Sequence, residues 1–269
     1  MIIRPFSDGA SLGEGMEMEK ERIKVASASA SAEQERRREF FHLFRTCPIP
    51  DNELLYNLGL FFNRQTLSRL LFFHELYQKI VNVHGVVAEF GVRWGQNLAL
   101  FESFRGIYEP YNYNRKILGF DTFAGFPSTH EKDGAAAVIV EGAYGVTANY
   151  EEFLEKILCY HEQESPVSHL KKFELIKGDA TATVEKYLAD NPETIIALAY
   201  FDFDIYEPTK RCLELIRGHL TKGSVIGFDE LNCHTFPGET LALREVFGLD
   251  RYRIVRSPLS PLASYIVID

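Results

Sequence analysis

At 269 residues, 46% hydrophobic and 13% aromatic, the chain has material for one sizeable domain with a full core plus an appendage, and too little for two complete domains. Its formal charge of -9 and lack of any strongly basic run count against a nucleic-acid backbone or an anionic membrane as partner and favour a cationic ligand or a metal. Cys47, Cys159, Cys212 and Cys233 lack zinc or disulfide spacing, no apolar run approaches roughly 20 residues, and the start lacks a secretory pattern, so a cytoplasmic protein with reduced thiols is expected.

Residues 1 to about 38 are polar and biased, with the run Ser27-Ala28-Ser29-Ala30-Ser31-Ala32 followed by Arg36-Arg37-Arg38. Such a segment cannot build a core alone, so residues 1–52 are expected to form an arm that is either mobile or docked on the body or on a second subunit. Residues 53–269 are expected to form the single domain. Between Glu53 and Val83 apolar residues recur at helical spacing in two groups, which predicts two helices joined at Asn63 to Thr66. His74, among Phe72, Phe73 and Leu76, reads as a packed histidine.

Five blocks then repeat one theme, an apolar strand ending in glycine or an acid and followed by a helical pattern. The strands are Val86 to Val92, Lys116 to Phe123, Phe173 to Asp179, Ile195 to Asp204 and Ser224 to Asp229. This alternation predicts a parallel α/β sheet covered by helices on both faces, with ligands bound at the carboxyl ends of the strands. Tyr252 to Ser257 and Ser264 to Asp269 leave no room between them for a crossover helix and predict an antiparallel hairpin. Five parallel strands ending in a hairpin is the Rossmann-like layout of class I methyltransferases rather than of the all-parallel dinucleotide-binding sheet. The long insertion at 124–172, with one helix around Ala148 to Tyr160, reads as a lid or as a disordered loop.

The first strand runs into Glu89-Phe-Gly91-Val-Arg-Trp-Gly95-Gln-Asn97, where glycines at a strand-to-helix turn let a ligand approach the backbone or serve the turn alone. The turn lacks the full Gly-x-Gly-x-x-Gly pattern of a dinucleotide site. Glu89, inside a strand, needs a cationic ligand, or Arg93 or a lysine, to offset its burial. Asp121 ends the second strand where such folds place an acid on a ribose diol, and Asp179, in Gly178-Asp179-Ala180, ends the third within reach of an adenine amino group. Asp202 and Asp204 end the fourth, Asp204 reading as a structural acid that orders the turn into Tyr206 and Glu207, and Asp229 and Glu230 end the fifth. Hard oxygens gathered on one rim suit Mg²⁺.

Taken together, Phe120-Asp121-Thr122-Phe123-Ala124-Gly125-Phe126-Pro127, the Glu89-x-Gly91 turn, Gly178-Asp179, Asp202-x-Asp204-x-Tyr206-Glu207 and Asp229-Glu230 resemble the macrocin O-methyltransferase family over roughly residues 55 to 245. Those enzymes depend on S-adenosylmethionine and Mg²⁺ and methylate sugar hydroxyls of macrolide and aminocoumarin antibiotics. The resemblance implies a cofactor site at Glu89, Asp121 and Asp179, with Gly91, Gly95, Thr122, Gly178 and Ala180 beside them and Thr66 near the methionine part. It implies a metal held by Asp202, Asp229 and Glu230, with Asp202 as general base, and a small-molecule hydroxyl acceptor. A homo-oligomer, with neither nucleic acid nor membrane as partner, is expected. Phe203 stands where the family has glycine, Glu230 where it has aspartate, and Arg93-Trp94-Gly95-Gln96 where it has Trp-Arg-Gly-Gly. An NAD-dependent oxidoreductase and a non-catalytic cofactor-binding protein are the alternatives. Tyr108, Tyr111, Tyr113, Tyr144, Tyr206 and His234 are candidates either for an acceptor pocket or for packing.

Overall fold

The computed structural model describes residues 30–269, so most of the segment read as a polar arm lies outside the described residues. What is described of that arm is helix α1 (Ser31–Arg45). The first of the two helices predicted after it does not form as such. In its place stand one turn, α2 (Asp51–Leu54), and a 3₁₀ run over Leu55–Phe61. That stretch includes Gly59 and packs no residue into a core, so neither propensity nor burial favours a regular helix. Asn63 then caps α3 (Arg64–Ile80), accepting from the Thr66 amide at 2.9 Å.

The remaining elements follow the predicted order. They are β1 (Val86–Phe90), α4 (Gln96–Tyr108), β2 (Ile117–Asp121), α5 (Tyr150–Gln163), β3 (Phe173–Lys177), α6 (Ala180–Asp190), β4 (Ile196–Phe201), α7 (Tyr206–Ile216), β5 (Leu220–Phe228), α8 (Gly238–Val246), β6 (Val255–Arg256) and β7 (Ser264–Val267). They build one seven-stranded mixed sheet in the order β3-β2-β1-β4-β5-β7-β6. Strands β1 to β5 pair in parallel, and β7 runs antiparallel to both β5 and β6. β6 is only two residues long, shorter than the strand predicted over Tyr252 to Ser257.

Helices α3, α4 and α5 cover one face, where Phe73, Leu76, Phe101 and Leu158 are buried against Val87, Leu198 and Val225. Helices α6, α7 and α8 cover the other, with Val184, Leu213 and Leu243 against Ala88, Ala199 and Ile226. His74 is packed as expected, its ring 5.5 Å from Phe104 and hydrogen-bonded to the Tyr108 hydroxyl.

Just below the carboxyl ends, Phe120, Phe90, Phe201 and Phe228 lie side by side across β2, β1, β4 and β5. Their ring centroids are 5.4, 4.5 and 5.6 Å apart and their planes within 19° of parallel. The register pairs Phe90 with Phe120, Phe90 with Phe201, and Phe201 with Phe228. Each phenylalanine immediately precedes a rim residue: Asp121, Gly91, Asp202 and Asp229. Side chains alternate along a strand, so a shared level for the rings fixes a shared level for the residues that follow them.

The insertion at 124–172 is built into the body. Leu154 and Leu158 of α5 are buried, and Phe126 exchanges backbone hydrogen bonds with Ala143 and Gly142 at 3.0 Å each. Its base is tied by a buried ion cluster in which Glu162 meets Arg105 at 3.0 Å and also Lys172.

Phe201 is fully buried at the centre of the ring row. Phe201→Ala is expected to lower the unfolding free energy by about 3–5 kcal/mol in a urea titration, the cost of a large cavity between four strands. A loss under about 1 kcal/mol would show that the row does not hold the strand tips together.

Candidate functional site

The sheet changes winding direction between β1 and β4. After β1 the chain moves outward through β2 to β3, and β4 returns to the other side of β1. Crevices form at such a switch because the two connections leave in opposite directions. Here it holds a cleft of about 360 Å³, walled by the tips of β1, β2, β4 and β5, by helix α3 and by the insertion. Ten of the residues singled out in the sequence line it: Gly91, Gly95, Asp121, Thr122, Gly178, Asp179, Ala180, Asp202, Asp229 and Glu230.

Two do not. Glu89 lies fully buried in β1, with Oε1 accepting from Asn97 Nδ2 at 2.5 Å and Oε2 unpartnered. Burial pushes its carboxyl well above the usual range, and Asn97 offsets this only in part. Its partner is therefore an amide from the first turn of α4, not Arg93 or a lysine. Thr66 stands away from the cleft, on an outer groove between α1 and the start of α3, with its hydroxyl 3.2 Å from Asn63 Oδ1.

The glycine turn is shaped by the protein's own packing. Gly91 has φ +97°, and a Cβ there would come within 2.2 Å of the Asp202 carbonyl oxygen, so the β1 and β4 tips meet only because no side chain intervenes. Gly95, at φ +73°, would strike Leu154 of α5. Asp121 secures the loop between them, accepting from the amides of Val92 and Arg93 at 2.7 and 2.8 Å and from that of Phe123 at 2.5 Å. Asp179 caps α6, its Oδ1 accepting from the Thr181 amide at 2.9 Å.

At the other end of the cleft the acids crowd. Asp202, Asp204, Asp229, Glu230 and Glu239 lie close enough to repel one another, and Arg69 of α3 bridges two of them, Asp202 and Asp229. Its guanidinium donates to Asp202 Oδ2 at 2.6 Å and to Asp229 Oδ1 at 2.7 Å, and its Nε lies 3.4 Å from Asn97 Oδ1. Phe73 lies 5.1 Å beneath the guanidinium, and the Tyr200 hydroxyl also donates to Asp229 Oδ1 at 2.6 Å.

Burial and then the Asp229 charge push Asp202 up to about 7, against the pull of Arg69. The same two causes push Glu230 to about 7. Asp204 and Glu239 are held well above the carboxylate range, by burial first and by neighbouring acids second. Burial alone would lower Arg69, but Asp229, Tyr200 and Asp202 raise it, so it stays charged.

Asp204 reads from the sequence as the acid that orders the turn into α7. The structure places it buried on the cleft wall in the left-handed region, at φ +63°, a strained backbone for a residue with a side chain. The turn is ordered instead by Asp133 of the insertion, whose Oδ1 accepts from the Tyr206 amide at 2.6 Å. Of the pocket candidates, Tyr144 lines the cleft, with Arg93 5.0 Å over its ring. Tyr206 is buried and donates to Glu245, while Tyr111 and Tyr113 are exposed.

The donor set suits a hard divalent cation in chemistry. Asp202, Asp229 and Glu230 offer carboxylate oxygens, Glu230 Oε2 is buried without a partner, and the acids outnumber the cations that face them. As the side chains stand, no three metal-ligating residues among those described are gathered closely enough to hold an ion. The Asp202 and Asp229 oxygens held by Arg69 are among those an ion would need.

A scan against protein-family models returned no match, and neither did a search of curated proteins. Among solved structures, the crystal structure of CalS11, a calicheamicin methyltransferase, is 40% identical, with a TM-score of 0.87 over 98% of this chain and 99% of that one. The apo structure of CalS11, described as a TDP-rhamnose 3′-O-methyltransferase of calicheamicin biosynthesis, is also 40% identical, with a TM-score of 0.79 over 90% of this chain and 96% of that one. The O-methyltransferase NovP shares the fold at 18% identity, with a TM-score of 0.56 over 75% of this chain and 79% of that one.

Removing Arg69 leaves Asp202 and Asp229 facing each other without their shared cation. Arg69→Met is expected to destabilise the protein by about 1–3 kcal/mol at about pH 8, less than for a fully buried pair because the side chains are partly exposed. Asp202 already has a raised carboxyl in the folded state, and a group raised in this way withdraws stability as pH rises through its folded value. The deficit measured by thermal unfolding is therefore expected to shrink at about pH 5.5. An equal deficit at both would show that the bridge does not offset repulsion.

Proposed function

Because the chain belongs to the macrocin O-methyltransferase-like family of class I S-adenosylmethionine-dependent methyltransferases, we propose that its cleft methylates a sugar hydroxyl of a small acceptor, with Asp202 as general base. The chain is an S-adenosylmethionine-dependent O-methyltransferase. The NAD-dependent and non-catalytic readings find no support in its likeness to these enzymes.

The observation that carries the assignment is the single hold on Asp202. Arg69 takes Oδ2 at 2.6 Å and makes no bond to Oδ1, which is left for the acceptor hydroxyl. Burial and the Asp229 charge push the Asp202 carboxyl up to about 7, which makes it a stronger base than an ordinary aspartate. As the acceptor oxygen bonds to the methyl carbon, its proton passes to Asp202 Oδ1. Arg69 and Tyr200 hold the neighbouring Asp229 in place, so the base keeps its aim.

When bound, S-adenosylmethionine would supply a sulfonium methyl group whose bond to sulfur breaks as the oxygen–carbon bond forms, leaving a neutral thioether. For its adenine amino group the cleft offers Asp179, whose Oδ2 is not used in capping α6. Asp121 spends lone pairs on three loop amides, yet each carboxylate oxygen accepts more than one hydrogen bond, which leaves capacity for a ribose diol. Glu89 enters this reading through Asn97, which lines the cleft and donates to its Oε1, and Thr66 only through the helix it shares with Arg69. Mg²⁺ would be held by Asp202, Asp229 and Glu230, and when bound would lower the pKa of the acceptor hydroxyl.

The TDP-rhamnose 3′-O-methyltransferase activity of CalS11 makes nucleoside-diphosphate deoxysugars the first acceptors to try. With an accepted sugar, Asp202→Asn is expected to lower kcat by about 10²–10⁴ with the KM for S-adenosylmethionine unchanged. Retained turnover would remove Asp202 from the role of base.

Calorimetry checks both ligands. Asp121→Ala is expected to weaken S-adenosylmethionine binding by more than about tenfold, and Asp229→Asn to weaken Mg²⁺ binding by a similar factor, each the loss of about one charge-assisted contact. Unchanged affinity in either variant would overturn the corresponding assignment.

A further inference from the structure

Among the described residues that line the cleft stand six acids, Asp121, Asp179, Asp202, Asp204, Asp229 and Glu230, against two cations, Arg69 and Arg93. The two arginines are used differently. Arg69 commits its guanidinium to Asp202 and Asp229. Arg93 commits its own to no acid: among the described residues nothing accepts a hydrogen bond from it, and its Nε is buried without a partner. A guanidinium presents five donors, and leaving a buried one unmade is costly unless a ligand takes it up.

The structure nevertheless holds this side chain in place. Its backbone sits in the left-handed region at φ +49°, a strained conformation for a residue with a side chain, and Asp121 Oδ2 fixes it there by accepting from the Arg93 amide at 2.8 Å. The guanidinium then lies 5.0 Å over the Tyr144 ring of the insertion and 6.0 Å from the Trp94 ring. Aromatic faces hold a cation without occupying its donors, so the fork stays open to a ligand. Its charge acts on Asp121 toward the cofactor end and on Asp204 toward the base, which places it between the two.

We infer that Arg93 is the specificity contact for the diphosphate of the acceptor, its guanidinium donating to the phosphate oxygens of a nucleoside-diphosphate sugar. The inference rests on the sugar-nucleotide acceptor proposed above and assigns the residue that selects it. Charge favours this ligand over the cofactor. S-adenosylmethionine carries a net positive charge, which six acids already suit, whereas a diphosphate brings negative charge into the same cleft and needs a cation that is not already paired. Shape agrees, because the planar fork of arginine matches a phosphate group through two parallel hydrogen bonds. In a sugar nucleotide the diphosphate and the ring hydroxyls are only a few bonds apart. A diphosphate gripped between the cofactor and Asp202 therefore keeps a sugar hydroxyl close to both.

Calorimetry on the full chain tests this, with thymidine diphosphate and thymidine as separate probes and a chelator present so that no metal bridges the phosphates. The wild type is expected to bind the diphosphate about 10- to 100-fold tighter than the nucleoside, the worth of a charge-assisted pair. Arg93→Gln is expected to remove most of that preference, and Arg93→Lys, which keeps the charge but not the fork, to retain part of it. Affinity for S-adenosylmethionine and the thermal unfolding midpoint are expected to stay close to wild type in both variants. A preference that survives intact in Arg93→Gln would overturn the inference and leave the acceptor reading standing. A loss of S-adenosylmethionine affinity in place of diphosphate affinity would overturn it too, by giving the guanidinium to the cofactor's carboxylate. A wild type that binds both probes equally would overturn the sugar-nucleotide reading and this inference with it.

Discussion

Four phenylalanine rings stacked in a row across β2, β1, β4 and β5 set the level at which everything else in the site is placed. A phenyl ring packs on its cross-strand neighbour only when the two strands are in register, and a slip of one residue would turn both rings out of the core. Each ring is followed by a residue of the rim, so the packing that stabilises the sheet also brings Gly91, Asp121, Asp202 and Asp229 to one edge. The acids are brought together by hydrophobic contacts one residue away, which can outweigh a repulsion that the acids on their own would relieve by moving apart.

That repulsion has to be contained. Arg69 does so from the first face of the sheet, with its guanidinium over the Phe73 ring and forked between Asp202 and Asp229. A fork is suited to this because arginine presents paired donors in a plane and remains charged despite burial. Burial first, and the remaining excess of negative charge second, holds the carboxyls of Asp202, Asp204, Glu230 and Glu239 above the usual carboxylate range. A site with raised acids and an unpartnered Glu230 oxygen is poised both to accept a proton and to receive a cation.

The insertion between β2 and β3 contributes more than a cover. Asp133 orders the β4 to α7 turn, Tyr144 lines the cleft, and Leu154 packs against the space that Gly95 leaves open. These contacts join the acid end of the cleft to the glycine loop through a segment with little regular structure of its own.

Local pattern carried the order of the strands, the helices from Arg64 onward, the hairpin at the end and the acids Asp121, Asp179, Asp202, Asp229 and Glu230 at the strand ends, because apolar runs that end in an acid or glycine are read from neighbouring residues alone. It also carried the family, through Phe120 to Pro127 and the paired acids. It did not determine that Arg69 meets Asp202 across 133 residues of chain, that Glu89 is paired with Asn97 rather than a cation, or that Asp133 takes the turn expected of Asp204. Nor did periodicity reveal that the apolar residues of 53–62 are not buried among the described residues, since helical spacing reports which side chains share a face and not what that face meets. Only the tertiary structure decided these points, because each depends on which elements the sheet brings side by side.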